Sequence, residues 1–170
     1  MDFHLYRPAD FTQLYAIEEA CFEPPLRFGR AYLRQLVSSS HTATWIAKEK
    51  GRMAGFAITA WSIKSGETVA YIPTIEVAAE ARGRGVGGEL LRRIEGSARA
   101  AGASVIWLHV EAENAPAIRL YEAHGYRRQG REERYYGRGR AALIYAKELS
   151  TPGAPILSPK ERAKGWGNPI

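Results

Sequence analysis

Arg82-Gly83-Arg84-Gly85-Val86-Gly87-Gly88 is the stretch on which the reading of the fold turns. It follows a run from Glu67 to Val77 that reads as a strand. It opens a helix in which Val86, Leu90, Leu91, Ile94 and Ala98 recur at helical spacing before Gly102 closes it. A glycine-rich turn in that setting exposes backbone N–H groups, and the helix N-terminus adds partial positive charge, so the pattern suits phosphate oxygens. Ser104 to Glu111 reads as the next strand, too apolar to have a solvent face. Two strands joined by a crossover helix run parallel with a right-handed connection, which puts the strands ending at Val77 and Glu111 in one sheet.

Two other phosphate-binding patterns fit less well. A P-loop ends in Gly-Lys-Ser or Gly-Lys-Thr, and here Gly87-Gly88-Glu89 stands instead. The dinucleotide fingerprint is matched by Gly83, Gly85 and Gly88, with Glu111 near the distance of a ribose-binding acid. That unit would begin about halfway along the chain, leaving too few residues for the remaining parallel strands.

Working outward, Phe3 to Arg7 reads as a strand, and Pro8-Ala9-Asp10 opens a helix carrying Phe11, Leu14, Ile17 and Cys21. A second helix covers Arg30 to Val37. Ala43 to Lys48, Arg52 to Trp61 and Glu67 to Val77 form an antiparallel meander, with turns at Lys50-Gly51 and Ser65-Gly66. Asn114 caps a helix that runs through His124 and stops at Gly125, and Tyr126 to Tyr136 and Ala141 to Leu149 close the domain as strands. Residues 1–149 are therefore expected to form one domain, followed by a Pro- and Gly-rich tail, 150–170, extended or disordered.

Composition narrows the class. The 170 residues are 45% hydrophobic and 25% charged, the balance of a globular chain. No run approaches the roughly 18 apolar residues of a membrane helix. Met1-Asp2-Phe3-His4 lacks the basic flank and apolar stretch of a secretory signal, so the expected location is cytoplasmic, with no membrane partner. The lone Cys21 excludes an internal disulfide and reads as a small buried apolar residue, and no clustered set of His and Cys suggests a metal. A net charge of +6 favours an anionic partner. Basic residues gather at 82–99 and 127–140, yet no groove-reading helix or aromatic stacking motif supports a nucleic-acid-binding module.

The turn satisfies the pattern Gln or Arg, two residues, Gly, one residue, Gly or Ala, and Asn114-Ala115-Pro116-Ala117-Ile118-Arg119-Leu120-Tyr121-Glu122-Ala123-His124-Gly125-Tyr126 follows it. Over roughly residues 3 to 149 the chain thus resembles the GCN5-related N-acetyltransferase (GNAT) superfamily. Phe22-Glu23-Pro24-Pro25, Trp107-Leu108-His109-Val110 and Tyr135-Tyr136 are similar to its ribosomal-protein and protein N-terminal acetyltransferase branch. The resemblance implies an α/β fold with a mixed, centrally splayed sheet of about seven strands and about four helices. It implies acetyl-CoA as co-substrate, no metal, and direct transfer to a primary amine, above all the α-amine of a protein or peptide. A small amine, a polyamine or a lysine side chain stays open as acceptor, and an acyl-CoA-binding sensor is the non-enzymatic alternative.

Carried over residue by residue, the backbone of Ile75, Glu76 and Val77 would pair with the pantetheine arm. Arg82, Gly83, Arg84, Gly85, Val86 and Gly87 would hold the pyrophosphate, and Asn114 would combine a helix cap with a cofactor contact. Tyr121, two helical turns beyond Asn114, would protonate the departing thiolate. Phe22, Pro24, Tyr135 and Tyr136 would meet the acceptor. The chain departs from the bacterial pattern at His109, where a Glu base is usual; some eukaryotic relatives share the Leu-His-Val, with a Tyr matching Tyr71 as helper. A neutral imidazole accepts a proton near pH 7, so base chemistry survives the change. Glu76 and Glu111 remain alternative bases.

Overall fold

The structure, a computed structural model, describes residues 1–149; the predicted tail lies outside the described residues. Seven strands form one sheet in the order β1-β2-β3-β4-β5-β7-β6. In chain order they are β1 (Asp2–Leu5), β2 (Thr42–Glu49), β3 (Arg52–Lys64), β4 (Glu67–Val77), β5 (Val105–Glu111), β6 (Arg127–Glu132) and β7 (Ala142–Glu148). The helices are α1 (Phe11–Cys21), α2 (Arg30–Val37), α3 (Val86–Ala100) and α4 (Ala115–Ala123). The mixed α/β class, the strand number and the four helices agree with the sequence reading.

The described residues group into two compact units. One comprises Met1–Ala60 with Pro73–Ala98, the other Trp61–Ile72 with the described residues from Arg99 onward. In the first, Phe11, Leu14 and Ile17 of α1 and Leu33, Leu36 and Val37 of α2 pack with Ile46, Met53, Phe56 and Ile58. Each fully buried Leu, Ile or Phe contributes about 1.5–3 kcal/mol of burial. On α3, Val86, Leu90, Leu91, Ile94 and Ala98 are buried, the stripe that the helical spacing predicts.

The second unit centres on Val69, Val105, Trp107 and Ala146, with Tyr71 and Ile144 packed against them. Its parallel ladder pairs Val69 with Val105, Ala70 with Ile106 and Tyr71 with Trp107. β5 pairs antiparallel with β7, His109 opposite Ile144 and Glu111 opposite Ala142.

Strand ends differ from expectation where the backbone turns early. β1 stops at Leu5 because Asp10 accepts the Arg7 N–H through Oδ2 at 2.9 Å and draws the chain out of the sheet. The expected strand Tyr126 to Tyr136 ends at Glu132. Arg134 adopts φ 59°, Gly137 and Gly139 also have positive φ, and the Tyr136 N–H reaches the Arg140 carbonyl at 3.0 Å. Tyr135 and Tyr136 therefore sit in a turn between β6 and β7.

One glycine is demanded by packing. A Cβ on Gly55 of β3 would lie 2.5 Å from the Glu76 carbonyl oxygen and 3.2 Å from the Val77 Cα. A backbone wall cannot yield as a flexible side chain would. Gly55→Ala should destabilise the fold by about 1–3 kcal/mol, read as a lowered Tm in thermal melts. A Tm equal to the parent's would show that β4 moves aside at no cost.

Candidate active site

The second unit assembles an aromatic cluster around His109. Side chains alternate along β5, so Trp107 and His109 share a face, and the register of Tyr71 with Trp107 brings Tyr71 to it. Tyr71 and Trp107 meet edge to face at 4.6 Å between centroids, and Trp107 meets His109 likewise at 5.2 Å. The Tyr71 hydroxyl lies 3.0 Å from His109 Nδ1. On the other side the Tyr135 ring stacks on the imidazole, 4.1 Å away and 13° from parallel, leaving the His109 side chain only 3% exposed. His109 Nε2 lies 3.3 Å from Glu132 Oε1.

Burial lowers the His109 pKa below the ordinary imidazole value, and the Glu132 carboxylate pulls part of the way back. The imidazole is therefore neutral near pH 7. Burial also drives the Tyr71 phenol far above its ordinary value, with Tyr135 and Tyr136 adding to the shift, so Tyr71 keeps its proton. Tyr71 also shares a side-chain hydrogen bond with Tyr135; where its hydroxyl donates to Nδ1, Nε2 carries the ring hydrogen toward Glu132.

Tyr121 is fixed by the end of α4. Asn114 Oδ1 accepts the Ala117 N–H at 3.2 Å, the helix cap expected of it. At the other end Gly125, at φ 86°, lets the Tyr126 N–H reach the Tyr121 carbonyl at 3.1 Å and the Gly125 N–H reach that of Glu122 at 3.1 Å. This is a Schellman closure, complete with ring contact between Tyr121 and Tyr126 at 5.6 Å. Tyr121 is 7% exposed, and burial raises its pKa well above the ordinary phenol value. Tyr136 packs edge-on to Tyr135 at 4.8 Å; burial first, then the charges of Tyr135 and Tyr121, raise its pKa. Aromatic rings thus run from His109 through Tyr135 and Tyr136 toward Tyr121.

In the first unit the glycine turn precedes α3. Gly83 and Gly85 adopt φ 71° and 80°, where side chains are strained, and no heavy atom lies within 4 Å of a Cβ built on either. The positive φ calls for glycine at both positions, and the space beside them is open. The two arginine side chains are already engaged. Arg82 Nε donates to the Val77 carbonyl at 3.0 Å, and Arg84 forks onto both carboxylate oxygens of Glu49 at 3.0 and 2.7 Å. Phe22 ends α1, its carbonyl accepting from Arg27 Nε at 3.1 Å, and Pro24 lies in the exposed turn that follows.

The two alternative bases are both occupied. Glu111 is bridged by Arg140 through two hydrogen bonds of 2.9 and 3.0 Å. Glu76 is buried and accepts from the Thr74 hydroxyl at 2.8 Å through Oε1. Oε2 of Glu76 and Oε2 of the equally buried Glu18 have no partner among the described residues unless a proton lies between them. Burial, and then the Glu18 carboxylate beside it, push the Glu76 pKa far up, so Glu76 holds that proton. Reading the sequence missed Glu18 and Glu132 because each acts across distant parts of the chain; Gly55 did leave a signal, a glycine inside a strand.

Residues 11–126 match the acetyltransferase (GNAT) family. The chain belongs to that family. Among relatives, it is 42% identical over 80 residues to the streptothricin acetyltransferase of Streptomyces lavendulae, covering 47% of this chain and 39% of that protein. It is 32% identical over 116 residues to the N-alpha-acetyltransferase RimI of Mycobacterium tuberculosis, 66% of each chain. The GNAT fold is further matched by the crystal structure of the ribosomal-protein-S18-alanine N-acetyltransferase from Escherichia coli, with TM-score 0.77 and 24% identity over 92% of this chain and 99% of that one. The chain thus spans less than two thirds of the first two relatives' lengths. No helix among the described residues is long and apolar enough to cross a membrane.

The Glu76 proton has a measurable consequence. A carboxyl whose folded pKa is raised contributes stability that is full below its unfolded value, about 4.3, and is lost as pH rises through the folded value. Glu76→Gln does not titrate and keeps a donor toward Glu18. The Tm of the Gln variant should gain on the parent's steadily from about pH 5 to about pH 9. A difference that stays constant over that range would mean that Glu76 is ionised in the fold.

Proposed function

We propose that this GNAT protein transfers the acetyl group of acetyl-CoA directly to a primary amine, the N-terminal α-amine of a protein or peptide. The observation that carries the reading is the 3.0 Å contact of Tyr71 with His109 Nδ1. It supplies a neutral base with a phenol in front of it, while Glu76 and Glu111 are withdrawn by a held proton and by an arginine. The name of the mycobacterial relative, an N-alpha-acetyltransferase, supports the same acceptor.

In this reading the backbone of Ile75, Glu76 and Val77 receives the pantetheine arm, and the amides of residues 82–87 receive the pyrophosphate. Asn114 lends its remaining polar capacity to the cofactor, and Phe22, Pro24, Tyr135 and Tyr136 border the acceptor. The amine gives its proton through Tyr71 to His109, and Tyr121, uncharged at neutral pH, protonates the sulfur that leaves. The acceptor class follows from basicity. Deprotonating an α-amine of pKa near 8 at pH 7 costs about 1.4 kcal/mol, against about 4.6 kcal/mol for a lysine at 10.4, and an imidazole of lowered pKa suits the first. The Streptomyces relative, named for streptothricin, favours a second reading in which the acceptor is a small amine.

Three variants and a panel of acceptors test the proposal. Gly85→Val places a branched side chain at a strained φ on the open side of the turn and should weaken CoA binding at least about tenfold by calorimetry. Tyr121→Phe should lower kcat by about 10² with CoA affinity nearly unchanged, and His109→Gln should lower kcat/KM for a peptide by about 10 to 10³. Rates with peptides of varied first residue, spermidine and streptothricin rank the acceptors. Peptides slower than streptothricin would turn the assignment to the small amine, and parental turnover in both the Phe and Gln variants would overturn the acid and base roles.

A further inference from the structure

The contact of Tyr71 with His109 leaves the second imidazole nitrogen to be accounted for, and a carboxylate faces it. We propose that Glu132 is a positioning residue for the transfer reaction. Its carboxylate accepts the Nε2–H of His109, so that Nδ1 is the bare nitrogen, and its charge steadies the imidazolium once the proton arrives. The inference rests on the acetyltransferase reading and adds a residue to it.

The fold builds this contact by a specific device. Along β6, Arg128 pairs with Tyr145 but Gly130 pairs with Ile144, so one extra residue, Gln129, is inserted against β7. Side chains alternate faces, and a one-residue insertion flips every later one. Because of it Glu132 stands opposite Ala142, and Ala142 is in register with Glu111 of β5. Glu132 thereby shares the face of His109 and Glu111. Without the bulge it would point to the opposite face and Arg131 would take its place.

The surroundings leave Glu132 the charge that acts on the imidazole. Tyr71 of β4 lies on Nδ1, Trp107 of β5 and Tyr135 of the β6–β7 turn are ring contacts, and β7 contributes the apolar Ile144 in register. Glu111, two residues along β5, is bridged to Arg140. Glu132 itself is 45% exposed at its side chain, so it stays wet enough to ionise while its tip reaches a nearly enclosed ring.

The amine nitrogen bonds to the acetyl carbon and releases its proton to Tyr71 Oη, whose own proton passes to His109 Nδ1. The C–S bond breaks, and the sulfur takes the Tyr121 proton. Afterwards His109 gives one proton to water and Tyr121 takes one back. Between those events His109 is a cation, and Glu132 faces it.

Glu132→Gln keeps an acceptor oxygen for Nε2–H and removes only the charge, whereas Glu132→Ala removes both. In the Gln variant the His109 titration followed by NMR should fall by about 0.5 to 1 unit, and the acid limb of kcat/KM for a peptide should move down with it. KM for acetyl-CoA should stay within about twofold in both variants, and kcat of the Ala variant should drop about tenfold. A titration and an acid limb that stay in place in the Gln variant would overturn the inference. The His109→Gln variant separates the two readings. If it is inactive beside an unmoved Glu132→Gln, the inference alone fails; if it is as active as the parent, the base assignment fails and takes the inference with it.

Discussion

The register of three residue pairs between β4 and β5 is the constraint on which the candidate site depends. Tyr71 opposite Trp107 puts a phenol beside an indole whose next neighbour on the same face is His109. The indole acts as a spacer, holding both rings at edge-to-face angles so that the hydroxyl and Nδ1 come within hydrogen-bonding distance. A slip of one residue would send Tyr71 to the other face and leave His109 buried without that partner. An unsatisfied buried polar group costs about 1–3 kcal/mol, so the hydrogen bond and the register reinforce one another.

The two units solve the burial of titratable groups in different ways. Around His109 each polar atom finds a partner, Tyr71 on one nitrogen and Glu132 on the other, and the ring remains neutral beneath Tyr135. In the other unit, Glu18 and Glu76 are buried side by side, with the Phe28 N–H donating to Glu18 Oε1 at 2.7 Å and the Thr74 hydroxyl to Glu76. Two adjacent carboxylates cannot both stay ionised in such a place, and keeping one proton is cheaper than burying a second charge. Chemistry that needs a proton acceptor at neutral pH is therefore better served by the first arrangement than by the second.

Much of the fold was legible because it is written in local periodicity. The buried stripe of α3, the boundaries of α2 and β4, and the glycine turn follow from spacing and from residues with special backbone freedom. Motif resemblance singled out Tyr71, His109 and Tyr121, and the structure brings Tyr71 and His109 into contact. What escaped depends on pairings that no window of sequence contains. β6 ends early because Arg134, an ordinary residue, adopts a left-handed conformation, and its bulge at Gln129 leaves no compositional trace. Glu132 was hidden for the same reason, since its orientation depends on register against β7. The withdrawal of Glu76 and Glu111 likewise needs Glu18 and Arg140, partners far along the chain.

The Schellman closure of α4 bears on how such a protein can change. The Tyr121 carbonyl, the Gly125 backbone and the Tyr126 ring lie within six consecutive residues, so the phenol is oriented by its own short segment. The imidazole, by contrast, is held by four separate elements: β4, β5, β6 and the turn beyond it. Substitutions in the β6–β7 turn can reshape what the imidazole meets while the Tyr121 phenol keeps its aim. Change around the imidazole then has a natural locus, and the Tyr121 segment behaves as a self-contained module insulated from it.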